Sequence, residues 1–243
     1  MPGPPSADIR LPGCIHRTAR IAVCVAAAAL ASVLTLAGSD IAPATIAILL
    51  FGGIASVILR RVEAYHPFPE FGPANLITLA RAALACLLAA IVTTGSLALW
   101  LIAFPLALAA LALDGVDGWA ARRTAMASRF GARFDMEIDA LLILVLSAAA
   151  WVGGKAGAWV LLLGLMRYAF LAASLAWPAL GADLPASTRR KAICVVQVAV
   201  LALLLLPAIA PPLSTGLALG ALGALSWSFA VDVIALLRRA KAA

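Results

Sequence analysis

Charge is what this 243-residue chain holds least of: 12% of its residues are Asp, Glu, Lys or Arg, against about 25% in a soluble domain. With 65% of the residues hydrophobic, too few polar groups remain to cover a water-facing surface, which excludes a soluble globular enzyme. Disorder is excluded for the opposite reason, an excess of apolar surface. Histidine is equally sparse, with His16 and His66 standing alone. The four cysteines, Cys14, Cys24, Cys86 and Cys194, form no CxxC pair, so neither a zinc site nor a disulfide framework is supported. The last three lie in apolar runs and read as small buried hydrophobes. Lys and Arg number 18 against 11 Asp and Glu, a formal charge of +7. No basic stretch lies on a polar face, which argues against a nucleic-acid partner. No internal repeat is evident.

What remains is an all-α polytopic membrane protein. Eight apolar stretches run from Ile21 to Gly38, Ile41 to Leu59, Asn75 to Thr93, Leu97 to Ala121, Gly131 to Val152, Gly157 to Trp177, Ala192 to Ile209 and Leu213 to Leu237. Each is near the ~20 residues a helix needs to cross the hydrocarbon. Pro43, Pro105 and Pro207 are expected to bend or shorten their helices. With the N-terminus in the cytoplasm, 15 Lys and Arg fall on the cytoplasmic side: Arg10, Arg17, Arg20, Arg60, Arg61, Arg122, Arg123, Arg129, Arg133, Arg189, Arg190, Lys191, Arg238, Arg239 and Lys241. Only Lys155 falls outside, so the positive-inside rule supports both the eight spans and their polarity. The basic head, apolar run and Ala29-Leu30-Ala31 also fit a cleavable signal peptide, whose removal would leave the remaining topology unchanged. The segment from Arg60 to Pro73 is too polar to span and is expected at the cytoplasmic interface, with Tyr65, Phe68 and Phe71 toward the acyl boundary. It divides the chain into an N-terminal extension of two helices (1–59), a juxtamembrane segment (60–74) and a six-helix core (75–243). Trp100, Trp151, Trp159, Trp177 and Trp227 read as interface or lipid-facing residues.

Against this background the stretch from Asp114 to Asp139 stands out, because it holds four Asp and one Glu. Asp114 and Asp117 are spaced i, i+3 and share a helix face with Gly118 and Ala121. On the next helix Gly131, Asp135 and Asp139 are spaced by four and stack on one face. Glu137 points about 160° away from Asp139 and falls outside the cluster. A short loop makes the two helices antiparallel neighbours, so four carboxylates converge. Their mutual repulsion and desolvation call for hard divalent cations, which oxygen-only ligands suit. Gly118 and Gly131 let a bulky ligand approach the backbone, and Arg122 stands where it can neutralise a phosphate. A two-metal aspartate site beside basic residues at a lipid interface suggests phosphoryl transfer.

The spacing DxxDGxxAR, eight residues, G, three residues, D, three residues, D resembles the signature of CDP-alcohol phosphotransferases. It is complete here as Asp114, Asp117, Gly118, Ala121, Arg122, Gly131, Asp135 and Asp139. Upstream, Asn75, Thr78 and Arg81 keep the intervals of the family's P-N-x-x-T-x-x-R, with Pro73 displaced by Ala74. The resemblance covers about Pro73 to Leu237. It implies a six-helix core, here preceded by two further transmembrane helices. It implies an enzyme of phospholipid synthesis that passes a substituted phosphate from a CDP-linked donor, usually CDP-diacylglycerol, to a hydroxyl acceptor with release of CMP. By position it makes Asp114, Asp117, Asp135 and Asp139 ligands of two Mg2+ or Mn2+ ions, with Asp139 also the base. It makes Asn75, Thr78, Gly118, Ala121, Arg122 and Gly131 the CDP site, with Arg81 close by, and it implies a homodimer. The residues around the last two aspartates, Asp135-Met136-Glu137-Ile138-Asp139-Ala140, match neither the D-P-x-A-D-K of phosphatidylglycerophosphate synthases nor the D-S-x-A-D of serine-type enzymes. Arg167, Arg189, Arg190 and Lys191 are candidates to bind an acceptor phosphate such as that of glycerol 3-phosphate.

Each of these cations has a plainer reading as well. Arg122 and the Arg189–Lys191 cluster serve as topology charges, Arg167 as a snorkelling or paired residue, and Arg81 as a helix–helix salt bridge. Asp232 reads as a structural partner, and Asp40 and Asp183 as loop or cap residues. A different function for the aspartates is the ion site of a cation or proton transporter. That reading calls for midplane charge and inverted repeats, and neither is found.

Overall fold

The structure, a computed structural model, describes residues 14–36, 38, 40–94, 97–177, 180 and 187–242. Arg10 and Asp183 lie outside these. Eight helices follow one another with no strand among the described residues: α1 (Cys14–Leu36), α2 (Ile41–Tyr65), α3 (Pro73–Thr94), α4 (Leu97–Arg123), α5 (Arg129–Val152), α6 (Leu162–Ala176, preceded by a 3-10 turn Ala158–Leu161), α7 (Thr188–Leu204) and α8 (Leu213–Ala242). Each apolar stretch of the sequence has given one α-helix, that from Gly157 with a 3-10 turn before it. Six of them are long and apolar enough to cross a membrane: α1 to α4, α6 with its 3-10 turn, and α8. Two of the eight expected spans fall short of that measure for definable reasons. Helix α5 carries Asp135, Glu137 and Asp139, and α7 has 17 residues.

The prolines act unequally. Pro43 is the third residue of α2, where its missing N–H costs no bond. Pro105 lies within α4. Helix α7 stops at Leu204 rather than running to Ile209, since Pro207 cannot continue it. Helix α2 runs on past Leu59 through the charged Arg60 and Arg61 to Tyr65. The chain then turns through Gly72, at φ +78, into α3. Phe71 departs from its expected place at the acyl boundary: it is buried against Phe130, with ring centroids 6.1 Å apart. Cys24 also departs from expectation, being exposed, whereas Cys86 is buried.

Helix α3 is the central element and packs against α1, α2, α4 and α5. Two apolar cores meet on it. One joins α3 to α8 through residues such as Leu88, Leu146 and Leu201. The other joins α1, α2 and α3 to the first turns of α5 through Ile58, Val62, Phe130, Phe134 and Ile138. Small residues permit close approach, the device that membrane helices favour. Ala103, Ala107 and Ala110 of α4 are fully buried. Gly164 of α6 lies so near Leu144 that a Cβ there would sit 2.8 Å from the Leu144 backbone nitrogen. At one end of the bundle Lys155 donates to the Leu206 and Ile209 carbonyls at 2.9 and 2.7 Å, while its own carbonyl accepts from Ser214 at 2.6 Å. This ties the connection after α5 to the one between α7 and α8. The connections 66–72 and 124–128 meet at the other end, where His66 reaches Ser128.

Candidate active site

Helices α3, α4 and α5 build the site. Asp114 and Asp117 stand one turn apart near the end of α4, and Asp135 and Asp139 one turn apart in the first half of α5. The five residues 124–128 join these helices, so all four carboxylates reach the same depth. Arg81, from the middle of α3, enters between them. Its Nη1 donates to Asp117 Oδ2 at 2.8 Å and Asp135 Oδ1 at 2.5 Å. Its Nη2 pairs with Asp114 Oδ1 at 3.1 Å and donates to Asp139 Oδ1. Its Nε donates to the Ala110 carbonyl at 3.2 Å. The guanidinium is thus fully used, and Arg81 is only 1% exposed. Thr78 Oγ1 adds a bond to Asp117 Oδ2 at 3.2 Å.

Four carboxylates around one guanidinium leave a formal charge of −4 + 1 = −3. That surplus, partly buried, is unfavourable unless further cations share it. Oxygens of Asp114, Asp135 and Asp139 lie within 4.8 Å of one another. An ion of the magnesium class holds its oxygen ligands at about 2.1 Å, so these carboxylates would have to draw together to serve one. The residues therefore fit a divalent cation on both charge and donor chemistry.

The remaining residues of the motif border this cluster. A Cβ on Gly118 would lie 3.4 Å from Arg122 Nη1 and 3.8 Å from Lys191 Nζ, so the bare glycine lies beside two cations from different helices. A Cβ on Gly131 would lie 2.8 Å from Asn75 Oδ1; only glycine admits the buried Asn75 amide there. Asn75 in turn donates to the Phe71 carbonyl at 2.5 Å. Ala121, half-buried, lies one turn beyond Asp117 on α4.

Of the four cations considered for an acceptor phosphate, the fold brings Lys191 to the site and engages the others elsewhere. Arg189 and Arg190 pair with Asp232 of α8, the latter at 3.3 Å, and Arg189 lies over the Trp227 ring. Arg167 pairs with Glu137 at 2.5 Å, so Glu137 stands apart from the aspartates.

Three contributors went unseen in the sequence. Cys194 of α7 places its thiol 3.5 Å from Asp139 Oδ2; a lone Cys in an apolar run gives no sign of this. Ser128 caps α5 by accepting from the Gly131 N–H at 3.0 Å, which a serine just before a helix could have suggested. His66 reaches Ser128 Oγ at 2.7 Å. Burial lowers the His66 pKa below the ordinary imidazole value, against the opposing pull of the Glu70 carbonyl.

A family model for CDP-alcohol phosphatidyltransferase matches residues 71–234, about two thirds of the chain. The chain belongs to the CDP-alcohol phosphatidyltransferase family, whose members are transferases of substituted phosphate groups. The match begins beside the Phe71 turn, leaving α1 and α2 outside. No curated protein and no solved structure matches the chain.

Proposed function

We propose that the protein is a phospholipid-synthesis enzyme that transfers the phosphatidyl group of CDP-diacylglycerol to a small hydroxyl acceptor, releasing CMP. The observation that carries this reading is the four-aspartate cluster of α4 and α5 gathered round Arg81, in a chain of this family. The family assignment gives the transporter reading no support.

Asp114, Asp117, Asp135 and Asp139 would hold two Mg2+ or Mn2+ ions. When bound, such ions supply Lewis-acid stabilisation of the diphosphate and of the leaving phosphate. The protein's own residues do the rest. Arg81 fixes the four carboxylates relative to one another, so they need little reorganisation on binding. Asn75, Thr78, Gly118, Ala121, Arg122 and Gly131 receive the CDP moiety, with Arg122 offering positive charge beside Gly118. Asp139 takes the proton of the acceptor hydroxyl. The oxygen so freed bonds to the phosphorus bearing the diacylglycerol, the P–O bond to the bridging oxygen breaks, and CMP leaves with that oxygen.

Glycerol 3-phosphate is the preferred acceptor in this reading, and Lys191 is the cation best placed for its phosphate. We further propose that α5 and α7 complete eight spans, and that the site faces the cytoplasm of a bacterial-type inner membrane, as the positive-inside distribution favours. Two copies form a homodimer, as the resemblance implies.

The test is a panel of alcohols given to purified protein with radiolabelled CDP-diacylglycerol and Mg2+ or Mn2+, reading CMP release and the lipid product. Release of CMP with formation of phosphatidylglycerophosphate is expected. Turnover with glycerol but none with its phosphate would sink the acceptor assignment. No CMP release with any alcohol would sink the function.

A further inference from the structure

We infer that His66 is a positioning residue: acting through Ser128, it sets the start of α5 against α3, and in this way the two-helix extension aligns the acidic helix with the rest of the site. His66 lies outside the region matched by the family model. The inference rests on the transferase reading and assigns a task to α1 and α2, which that reading leaves without one.

The chain of contacts is continuous. His66 is the residue after α2 and is 4% exposed. Its Nε2 lies 2.9 Å from the Glu70 carbonyl, which can only accept, so Nε2 carries the proton. In the neutral ring Nδ1 is then an acceptor, and Ser128 Oγ–H donates to it at 2.7 Å. Ser128 Oγ in turn accepts from the Gly131 N–H at 3.0 Å. Every donor and acceptor of the relay is used in the correct sense, with Ser128 Oγ both donating to Nδ1 and accepting from Gly131. The Asn75 side chain from α3 fills the space where Gly131 would carry a Cβ, so the relay ends at a tight contact between α3 and α5.

Packing reinforces the same alignment. The His66 ring meets Phe68 edge-on at 5.4 Å and Phe130 at 6.0 Å. Phe130, Phe134 and Ile138 present one face of α5 to the core shared with α1 and α2. The next residue after each of them, Gly131, Asp135 and Asp139, lies on the side that meets Asn75 and Arg81. One face of α5 is therefore gripped by the extension while the adjacent face carries the carboxylates. An error of about 1 Å in such a placement can cost on the order of 10²-fold in rate.

The experiment uses the full chain in lipid–detergent micelles. His66→Phe keeps the ring packing and removes both polar contacts, Ser128→Ala removes the cap, and His66→Gln restores an amide donor and an acceptor. We expect His66→Phe and Ser128→Ala each to lower kcat/KM for the CDP-linked donor by about tenfold, with the acceptor KM within about twofold. The double variant should be no worse than either single one, and His66→Gln should recover most of the loss. Amide hydrogen exchange on the same samples needs no turnover: residues 131–134 should exchange about tenfold faster in His66→Phe, as for a lost helix cap, with α3 unchanged. Unaltered exchange at the start of α5 would overturn the inference. So would single effects that multiply in the double variant, or a His66→Gln protein as impaired as His66→Phe. If His66→Phe does not fold, Ser128→Ala and His66→Gln carry the same two readouts. Faster exchange together with a wild-type protein that releases no CMP would overturn the transferase reading and leave the alignment role standing.

Discussion

Four arginines of this bundle that pair with carboxylates occupy two environments. Arg81 is buried among four aspartates and leaves a formal surplus of −3. At the rim, Arg167 faces the single Glu137, and Arg189 and Arg190 share the single Asp232. The rim groups are balanced or slightly positive, so no surplus of negative charge is left there. The cluster at Arg81 cannot be neutralised by the groups that touch it. Uncompensated negative charge at partial burial fits a group able to take a metal ion, whereas a matched pair needs no ligand to account for it.

That contrast can be broken experimentally, most severely at the cluster. Asp139→Asn should cut CMP release by about 10²–10⁴-fold, the usual worth of a general base, with helical content and melting temperature retained. Chelation of divalent cations should silence the wild type, and Mg2+ or Mn2+ should restore it. A near wild-type rate in Asp139→Asn protein would show the base to be elsewhere.

Arg81→Met tests the other half of the cluster. Removing the guanidinium from four carboxylates should destabilise the protein by about 3–5 kcal/mol, as for any buried pair that loses one partner. The melting temperature in detergent measures this, and millimolar Mg2+ should recover part of the loss by taking over the charge.

Gly131→Ala should be milder. The new Cβ would lie 2.8 Å from Asn75 Oδ1 and 3.3 Å from Ser128 Oγ, an overpacking worth about 1–3 kcal/mol. A raised KM for the CDP-linked donor is the expected sign, and an unchanged KM would place the nucleotide elsewhere.

The rim pairs should give the smallest effects. Arg167→Ala should change stability by no more than about 1 kcal/mol, since both partners are substantially exposed, and activity by less than about twofold. Lys191→Ala, beside Gly118, should instead raise the KM for a phosphorylated acceptor. A larger acceptor effect at Arg167 than at Lys191 would reverse the assignment drawn from their positions.

Much of this was legible in the sequence. Periodicity alone placed the aspartates on facing surfaces of adjacent helices, because a short loop between two apolar runs leaves little choice but an antiparallel pair. The same reasoning set Glu137 apart. The eight helices were legible too, apart from the ends of α2 and α7. At these ends the residues that matter are charged or lack an N–H, and hydropathy responds to neither backbone bonding nor capping. The central place of Arg81 was not legible, since one arginine on an apolar helix fits a salt bridge as well as a site. Nor were the links from His66 to Ser128 and from Cys194 to Asp139, which join residues 62 and 55 positions apart and leave no local pattern.

Composition and spacing by themselves determined that this chain folds as apolar helices and that four carboxylates meet near one end, because burial and helical period act over a few residues. Tertiary structure alone decided which cation those carboxylates share, which basic residues are engaged at the rim, and how α2 and His66 meet the start of α5. Those outcomes depend on contacts between helices far apart in the chain, whose depth and rotation are set by packing.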